Sequence, residues 1–172
     1  MRLLTRSKNI EGKGEVSVRD LFTNTLRMRP TRLIIGEIRG AEAMDYIQAL
    51  NSGHDGTLAV LHASTPIDAV SRLETMALYA GLNIPSSEIR KQIAQGLDLI
   101  IQHEHLNEGG RKISYITEVC GIKDGIIVLN DIFKFETSED AKGEAAFKLI
   151  NKPKKLSKFR KAKINLEDKL FC

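Results

Sequence analysis

Apolar and polar positions follow two different periods along this chain, and the change between them lies near residue 98. Through residues 17–100, apolar side chains recur at helical spacing in four stretches, and two short strands that read as fully buried, Leu33–Glu37 and Thr57–Ala63, lie among them. Residues 98–150 mostly alternate apolar with polar, which is typical of strands that bury one face. The first part predicts a parallel sheet with helices on its faces, and the second predicts antiparallel, hairpin-like strands.

Local signals place the ends of the helices. Ser17 followed by Asp20 resembles a capping box and predicts a helix that ends before Pro30. Pro66 stands where another helix begins, because proline fits the first helical turn. One of the two leading serines of "SSEIRKQIAQGL" is expected to cap a further helix, since a serine hydroxyl can accept from free amide groups. Later in the chain, "KDG" is a turn signal between two alternating strands.

These patterns divide the chain into four segments. They are an irregular lead-in over 1–15, an α/β core over 16–100, antiparallel strands over 98–150 and a basic helix or tail over 151–172. The basic run "NKPKKLSKFRKAK" is explained most simply by a solvated helix with Leu156 and Phe159 packed inward. A membrane-surface or nucleic-acid contact is the alternative, although the run has no aromatic interleaving of the kind that single-strand binders use for base stacking.

Composition limits the class of protein without selecting a function. A chain of 172 residues with 42% hydrophobic and 28% charged residues suits one globular domain. It has no apolar run long enough for a transmembrane helix. Cys120 and Cys172 form neither a metal-ligand spacing nor a disulfide framework, which fits a reducing compartment. The net charge of +4 is compatible with nucleic acid, anionic lipid or phosphate ligands.

The candidate chemistry lies where the two predicted parallel strands end. Glu37 ends the strand of "RLIIGEIRG", and His62 lies at the end of the next strand, "TLAVLHA". Ligands bind beyond the carboxyl ends of parallel strands, so an acid and an imidazole would face one crevice if the strands are neighbours. A glutamate there can polarise a water, and a histidine can donate to a phosphate oxygen. Spacing alone also fits a strand end that has reached the surface and a hydrogen-bonded structural histidine.

The order of the motifs resembles one protein superfamily closely. "RLIIGEIR" looks like the Walker B motif of the secretion ATPases, which power type II and type IV secretion and pilus assembly, and "GHDGTLAVLHA" looks like their His box. The segments "NIEGKGEVSVRDL" and "ITEVCGIKDGIIVLNDIFKFE" fit the same superfamily, so the resemblance covers nearly the whole chain. The similarity is greatest to the ATPases of tight-adherence (Flp-type) pili and to their relatives in type IV secretion.

This resemblance implies an architecture and a setting. The fold would be the C-terminal part of a RecA-like P-loop NTPase domain, followed by the antiparallel strands. ATP and Mg²⁺ would be the cofactors of a complete subunit, which would work in a homohexameric ring. The implied partner is an inner-membrane platform protein, and the implied location is cytoplasmic, peripheral at the inner face of the plasma membrane. Specific nucleic-acid binding is not expected.

The resemblance also implies residue roles, position by position. Glu37 matches the Walker B glutamate that orients the attacking water, with Mg²⁺ close by through water. His62 matches the last histidine of the His box, which contacts or senses the γ-phosphate. The remaining implied nucleotide-binding residues are Gly36 and Arg39 of Walker B, His54 and Gly56 of the His box, and the basic residues Arg27, Arg29 and Arg32. For the last three, a solvated helix end is an equally good explanation.

The phosphate-binding loop of this superfamily is absent from the sequence. The pattern G-x-x-x-x-G-K-[ST] does not occur, and the single "GK", Gly12–Lys13, is followed by Gly14. Lys13 is therefore not assigned to phosphate binding. The chain is expected to be the C-terminal portion of a secretion ATPase, without useful ATP binding or turnover by itself. Its sheet is expected to have an open central edge, which lowers solubility unless a partner covers that edge.

Three functional hypotheses follow from the sequence. The chain is a piece of an ATPase, active only within a complete subunit; or a non-catalytic ring-assembly module or gene remnant; or a nucleic-acid-binding protein, suggested only by the basic tail. An upstream reading frame that ends in a phosphate loop favours the first hypothesis. Association of the free chain with full-length subunits favours the second. Steep salt dependence of DNA binding is required for the third.

Overall fold

The computed structural model describes residues 1–54, 56–105, 110–136 and 146–164. Its elements, in chain order, are α1 Val18–Arg27, β1 Ile34–Ile35, α2 Glu42–Asn51, β2 Leu58–Ala59, α3 Pro66–Leu78, α4 Ser86–Gly96, β3 Leu99–His105, β4 Arg111–Lys123, β5 Ile126–Glu136, β6 Ala146–Leu149 and α5 Ser157–Lys161. β1 and β2 form a parallel pair, and the later strands form an antiparallel sheet in the order β3-β4-β5-β6. The expected mixed α/β class is confirmed. Among the described residues, no helix is both long and apolar enough to cross a bilayer.

The parallel pair is shorter and less buried than expected. Ile34 lies opposite Leu58, and Ile35 lies opposite Ala59. Ile35 is buried, but Ile34 is 70% exposed and Leu58 is 53% exposed. Side chains alternate between the two faces of a strand, and the helices of the described chain cover only one face of this pair. The prediction of two fully buried strands was therefore wrong for the outer face.

A layer of helices buries the inner face of the parallel pair. α2 lies at its centre, with Ala43, Met44 and Ile47 almost fully buried, and α1, α3 and α4 contact it. These residues belong to the apolar stripe that the helical spacing of α2 predicts. The largest hydrophobic core of the described chain therefore lies between the helices and β1.

The ends of two helices test the local signals. At α1, the Ser17 hydroxyl accepts from the Asp20 amide (3.1 Å), and the Asp20 carboxylate accepts from the Ser17 amide (2.9 Å), so the predicted capping box is confirmed. At α4, the expected serine cap was wrong. The N-cap is Pro85, which has no capping side chain, and its carbonyl accepts from the Glu88 and Ile89 amides. Because proline already supplies the extended backbone there, the helix begins at the first serine.

The antiparallel sheet is built from strands that follow each other in the chain. The predicted turn between β4 and β5 is confirmed, with Asp124 and Gly125 at φ of +52° and +77°. Positive φ at both positions matches the right-handed twist of a hairpin. β6 was not predicted as a separate strand, and it pairs with the end of β5.

The two ends of the described chain differ from the core. The lead-in is irregular as expected, apart from a bridge between Arg6 and Val16, and Gly12–Lys13 lies in the turn that this bridge closes. Near the C-terminus, Phe159 was expected to pack inward, but it is 40% exposed. α5 is only five residues long, too short to form an apolar stripe. The rest of the predicted basic tail, 165–172 with Cys172, lies outside the described residues.

Candidate functional site

The carboxyl ends of the parallel strands bring an acid and an imidazole into contact. Backbone hydrogen bonds continue past the two strands, from the Val60 amide to the Ile35 carbonyl (3.3 Å) and from the Ile38 amide to the Val60 carbonyl (2.9 Å). This pairing sets Glu37 beside His62, whose Nε2 lies 2.9 Å from Glu37 Oε1. That distance suits a hydrogen bond in which the imidazole N–H donates.

Arg39 completes this cluster from the other side of the carboxylate. Its Nη2 atom lies 2.6 Å from Glu37 Oε2, so each carboxylate oxygen has its own partner. The Glu37 side chain is 24% exposed, whereas those of Arg39 and His62 are 79% and 75% exposed. Exposed ion pairs of this kind add little to stability. The arrangement is thus a set of reachable polar groups at a strand end, and the fold does not depend on it.

Two residues that the sequence analysis missed support the cluster. Glu42 accepts from the backbone amides of Arg39 (2.7 Å) and Gly40 (3.1 Å), which holds the loop after Glu37. Gln102 of β3 donates to the Ala63 carbonyl (2.9 Å), directly after His62. Glu42 could have been found from its place in the first turn of a helix, where carboxylates are favoured. No local signal points to Gln102.

Open clefts lie on both sides of the cluster. His62 lines a cleft of about 650 Å³ between β2 and β3, together with Ile38 and Tyr46. Burial raises the pKa of Tyr46 to about 12, so its hydroxyl stays protonated. Arg39 lines a second cleft of about 560 Å³ along α3, whose polar lining includes Arg72. Ligands can therefore reach His62 from the first cleft and Arg39 from the second.

The glycines of the two motifs leave room near this cluster. A Cβ on Gly36 would have no heavy atom within 4 Å, so open space lies beside the backbone that precedes Glu37. Gly56 has a φ of +82°, which favours glycine. A Cβ on Gly56 would lie 3.4 Å from Arg32 Nη1, so Arg32 approaches this loop closely.

The other predicted site residues stand apart. The His54 Nδ1 atom lies 3.0 Å from the Ser52 hydroxyl, within the loop before β2. Arg27 ends α1, and Arg29 follows it with a φ of +49°; both are exposed. In the described part of the chain, no hydrogen bond or ion pair joins His54, Arg27 or Arg29 to Glu37. The structure brings together Glu37, Arg39 and His62 next to Gly36, and no hydrogen bond or ion pair in the described part of the chain joins His54, Arg27 or Arg29 to them.

The sequence motifs imply that Mg²⁺ would lie close to Glu37. Across the described ranges, no group of three or more His, Cys, Asp or Glu side chains could hold a metal directly. Contact of Glu37 with Mg²⁺ would therefore run through water, and it requires Arg39 or His62 to release a carboxylate oxygen. The pattern of a P-loop, whose backbone groups and lysine hold phosphates, does not occur in this sequence.

Sequence comparisons place the two motifs in a known family. The family profile described as "Type II/IV secretion system protein" matches residues 5–109, which include the whole cluster. A putative conjugal transfer protein of Mycobacterium tuberculosis is 36% identical over 116 residues, which is 67% of this chain and 32% of that protein. The type IV secretion system protein VirB11 of Bartonella henselae is 33% identical over 112 residues, covering 64% of this chain and 31% of its own length.

A solved structure agrees with the sequence comparisons. The crystal structure of the VirB11 ATPase from the Brucella suis type IV secretion system, in complex with sulphate, matches with a TM-score of 0.55 and 33% identity. The match covers 59% of this chain and 31% of that chain. The chain thus spans about a third of the length of the relatives that it matches. By profile, sequence and fold, it belongs to the type II/IV secretion system protein family, within the secretion-ATPase superfamily.

Proposed function

We propose that this chain is the C-terminal part of the ATPase subunit of a secretion or pilus-assembly motor. The observation that carries the proposal is the 2.9 Å contact between Glu37 and His62 at the ends of neighbouring parallel strands. In a complete subunit, these groups would face the γ-phosphate of ATP. The subunit would act with Mg²⁺ in a homohexameric ring, at the cytoplasmic face of the inner membrane and against a platform protein. The tight-adherence pilus is the system that the sequence predicts.

The chemistry divides among three side chains. Bound Mg²⁺–ATP would supply a γ-phosphate open to attack by water. Glu37 would orient and polarise that water once one of its oxygens is released. His62, which is 75% exposed, has the freedom to turn its N–H from Glu37 to a phosphate oxygen. Arg39 would keep the other carboxylate oxygen in place, so the acid stays aimed at the water.

The free edge of β2 supports the proposal that further polypeptide completes the site. The ladder to β1 uses backbone groups of Leu58 and Val60, so those of Ala59 and Leu61 point to the opposite side. Ala59 and Leu61 line the cleft between β2 and β3. A strand seated there would pair with β2 and could carry a phosphate loop to the cluster. Without such a loop, we expect the purified chain to show no magnesium-dependent ATPase activity.

A chimaera tests the roles directly. The chain replaces the matching third of a full-length relative that carries the phosphate loop, and ATP hydrolysis is measured with and without Mg²⁺. We expect magnesium-dependent turnover that Glu37→Gln lowers by about 10²–10⁴-fold, the usual contribution of a positioned base. Because the glutamate would act on water and not on nucleotide binding, KM for ATP should change little.

A matched variant controls for loss of charge. Glu88→Gln removes a carboxylate on α4 that is exposed and pairs only with Lys91 among the described residues, so it should leave turnover unchanged. Turnover that survives Glu37→Gln in the chimaera would refute the assignment of Glu37. Substantial activity of the chain alone would refute the need for an added loop.

A second candidate function is that of a non-catalytic ring-assembly module. A ring-assembly module would keep the surfaces that contact neighbouring subunits without hydrolysing ATP. In that case the chimaera is inactive, and the free chain associates with full-length subunits in size-exclusion chromatography. Turnover by the chimaera that depends on Glu37 would favour the ATPase instead.

A further inference from the structure

Basic charge is concentrated in the C-terminal segment Asn151–Ile164, which we name the basic segment. It holds seven of the 26 lysines and arginines of the chain and no acidic residue. The rest of the chain therefore has more acidic than basic residues, although the whole chain is net positive. A concentration of one sign of charge such as this attracts ligands of the opposite sign.

A buried carboxylate fixes the basic segment on the antiparallel sheet. Glu118 of β4 is 3% exposed, and its two oxygens accept from the backbone amides of Lys154 (2.8 Å) and Lys155 (2.5 Å). Asn130 of β5 also donates to the Lys152 carbonyl (3.2 Å). The start of the segment is thus held in a defined place, unlike a loose charged tail.

Asp98 divides the charges of the segment into two groups. Its carboxylate pairs with Lys155 (3.2 Å) and Lys158 (2.6 Å), which neutralises charge next to the sheet. Arg160, Lys161 and Lys163 are exposed, and none of the three has an ion-pair partner within the described ranges. The uncompensated charge lies in and directly after α5.

Two apolar side chains stand exposed among these charges. Phe159 is 40% exposed and Ile164 is 52% exposed. The Ile164 amide donates to the Phe159 carbonyl (2.9 Å), so a single closed turn carries both residues together with the three basic ones. Exposed apolar residues flanked by lysine and arginine are typical of segments that lie in the interface of a lipid bilayer.

We propose that this turn, Phe159–Ile164, binds the surface of a bilayer that contains anionic lipids. Arg160, Lys161 and Lys163 contact the phosphate headgroups, and Phe159 and Ile164 enter the boundary between headgroups and acyl chains. Duplex DNA would also attract the three charges, but it would leave the two apolar side chains without a role. Lipid explains both features. The proposal does not depend on ATP hydrolysis.

Vesicle co-sedimentation of the purified chain tests this binding. The vesicles are phosphatidylcholine alone or phosphatidylcholine mixed with phosphatidylglycerol, at low and high salt. We expect binding only to the anionic vesicles, weaker at high salt. The triple variant R160Q/K161Q/K163Q should lower the partition coefficient by about 10- to 100-fold, since each basic residue near an anionic surface adds appreciably. Phe159→Ser should weaken binding at both salt concentrations, because apolar insertion is not screened.

A second triple variant controls for total charge. R2Q/K112Q/K123Q removes the same charge from exposed positions outside the basic segment and should bind as the unchanged chain does. Circular dichroism checks that each variant keeps its fold. Equal losses in both triple variants would overturn the proposal, and so would binding to neutral vesicles. Displacement of the chain from anionic vesicles by duplex DNA at equal phosphate concentration would overturn it in favour of a nucleic-acid surface. Because no nucleotide is present, the result is independent of the chimaera experiment.

Discussion

The two sheets of this molecule differ in completeness. The described chain forms a full antiparallel sheet but only a short parallel pair. β1 and β2 have two residues each, whereas β4 and β5 have 13 and 11. Neighbours in the antiparallel sheet are also neighbours in sequence, so local turns complete it. Parallel strands need crossovers, and among the described residues no further strand pairs with either edge of the parallel pair, whose outer face stays exposed. The Glu37 cluster therefore lies in the less complete region, whose function we expect to depend on added polypeptide.

The largest loss of stability is expected from a substitution in the antiparallel sheet. Glu118→Ala removes the acceptor of the Lys154 and Lys155 amides inside the antiparallel sheet. Losing two hydrogen bonds to a charged acceptor, at about 1.5–3 kcal/mol each, should lower the free energy of unfolding by roughly 3–5 kcal/mol. Urea denaturation measures the loss, and hydrogen exchange should show faster exchange over 152–164. Glu88→Ala, at an exposed position, should change the free energy of unfolding by less than about 0.5 kcal/mol. An equally small effect of Glu118→Ala would show that the carboxylate does not anchor the segment.

Two adjacent isoleucines sharpen the comparison within β1. Ile35 is 8% exposed and packs on the helical layer, whereas Ile34 is 70% exposed on the open face. Ile35→Ala should lower the free energy of unfolding by about 2–4 kcal/mol, the usual cost of a cavity in a core. Ile34→Ala should cost less than about 0.5 kcal/mol in this chain, because its side chain already lies in water. Thermal and urea unfolding give both values. A large cost for Ile34→Ala would mean that the isolated chain covers this face, for example by self-association.

Sequence-based prediction succeeded for contacts between residues that are close in sequence and failed for most contacts between distant residues. The capping box of Ser17 and the turn at Asp124 depend on residues a few positions apart, and both were predictable. The contact of Glu37 with His62 followed from the rule that parallel strands expose their carboxyl ends together. The bonds from Gln102 to Ala63 and from Lys154 to Glu118 span more than 30 residues, and no periodicity encodes them.

A pair of glycines distinguishes tight packing from open space. A Cβ on Gly96, at the end of α4, would lie 2.6 Å from Leu50 Cβ and 2.8 Å from Asn51 Nδ2. Gly96→Ala should therefore push α4 away from α2 and cost about 1–3 kcal/mol in the free energy of unfolding. Gly36→Ala is the control, since no heavy atom lies within 4 Å of its Cβ position. It should leave stability nearly unchanged. A similar loss for both glycines would contradict the open space beside Gly36.

The smallest effect concerns pH and two carboxylates of the helical layer. Burial raises the pKa of Asp45 on α2, and the ion pair with Arg19 (3.1 Å) only partly offsets this. The folded chain thus keeps the Asp45 proton to higher pH than the unfolded chain, whose pKa is near 3.8. The contribution of Asp45 to stability is full below that value and is lost as pH rises through the raised pKa. Compared with the unchanged chain, Asp45→Asn should become relatively more stable as pH rises through this window.

Asp20, in the same helical layer, should give the opposite slope when the relative stability of its variant is plotted against pH. Its hydrogen bond with the Ser17 side chain lowers its pKa, so its contribution is present above the unfolded value and is lost as pH falls through the lowered pKa. Asp20→Asn should therefore become relatively more stable as pH falls, when each variant is compared with the unchanged chain in urea at a series of pH values. If the relative stabilities of the two variants changed with pH in the same direction, burial would not be the dominant influence on the pKa of Asp45. Opposite slopes would show that α2 is buried in solution as the structure has it, while the capping box at the start of α1 remains at the surface.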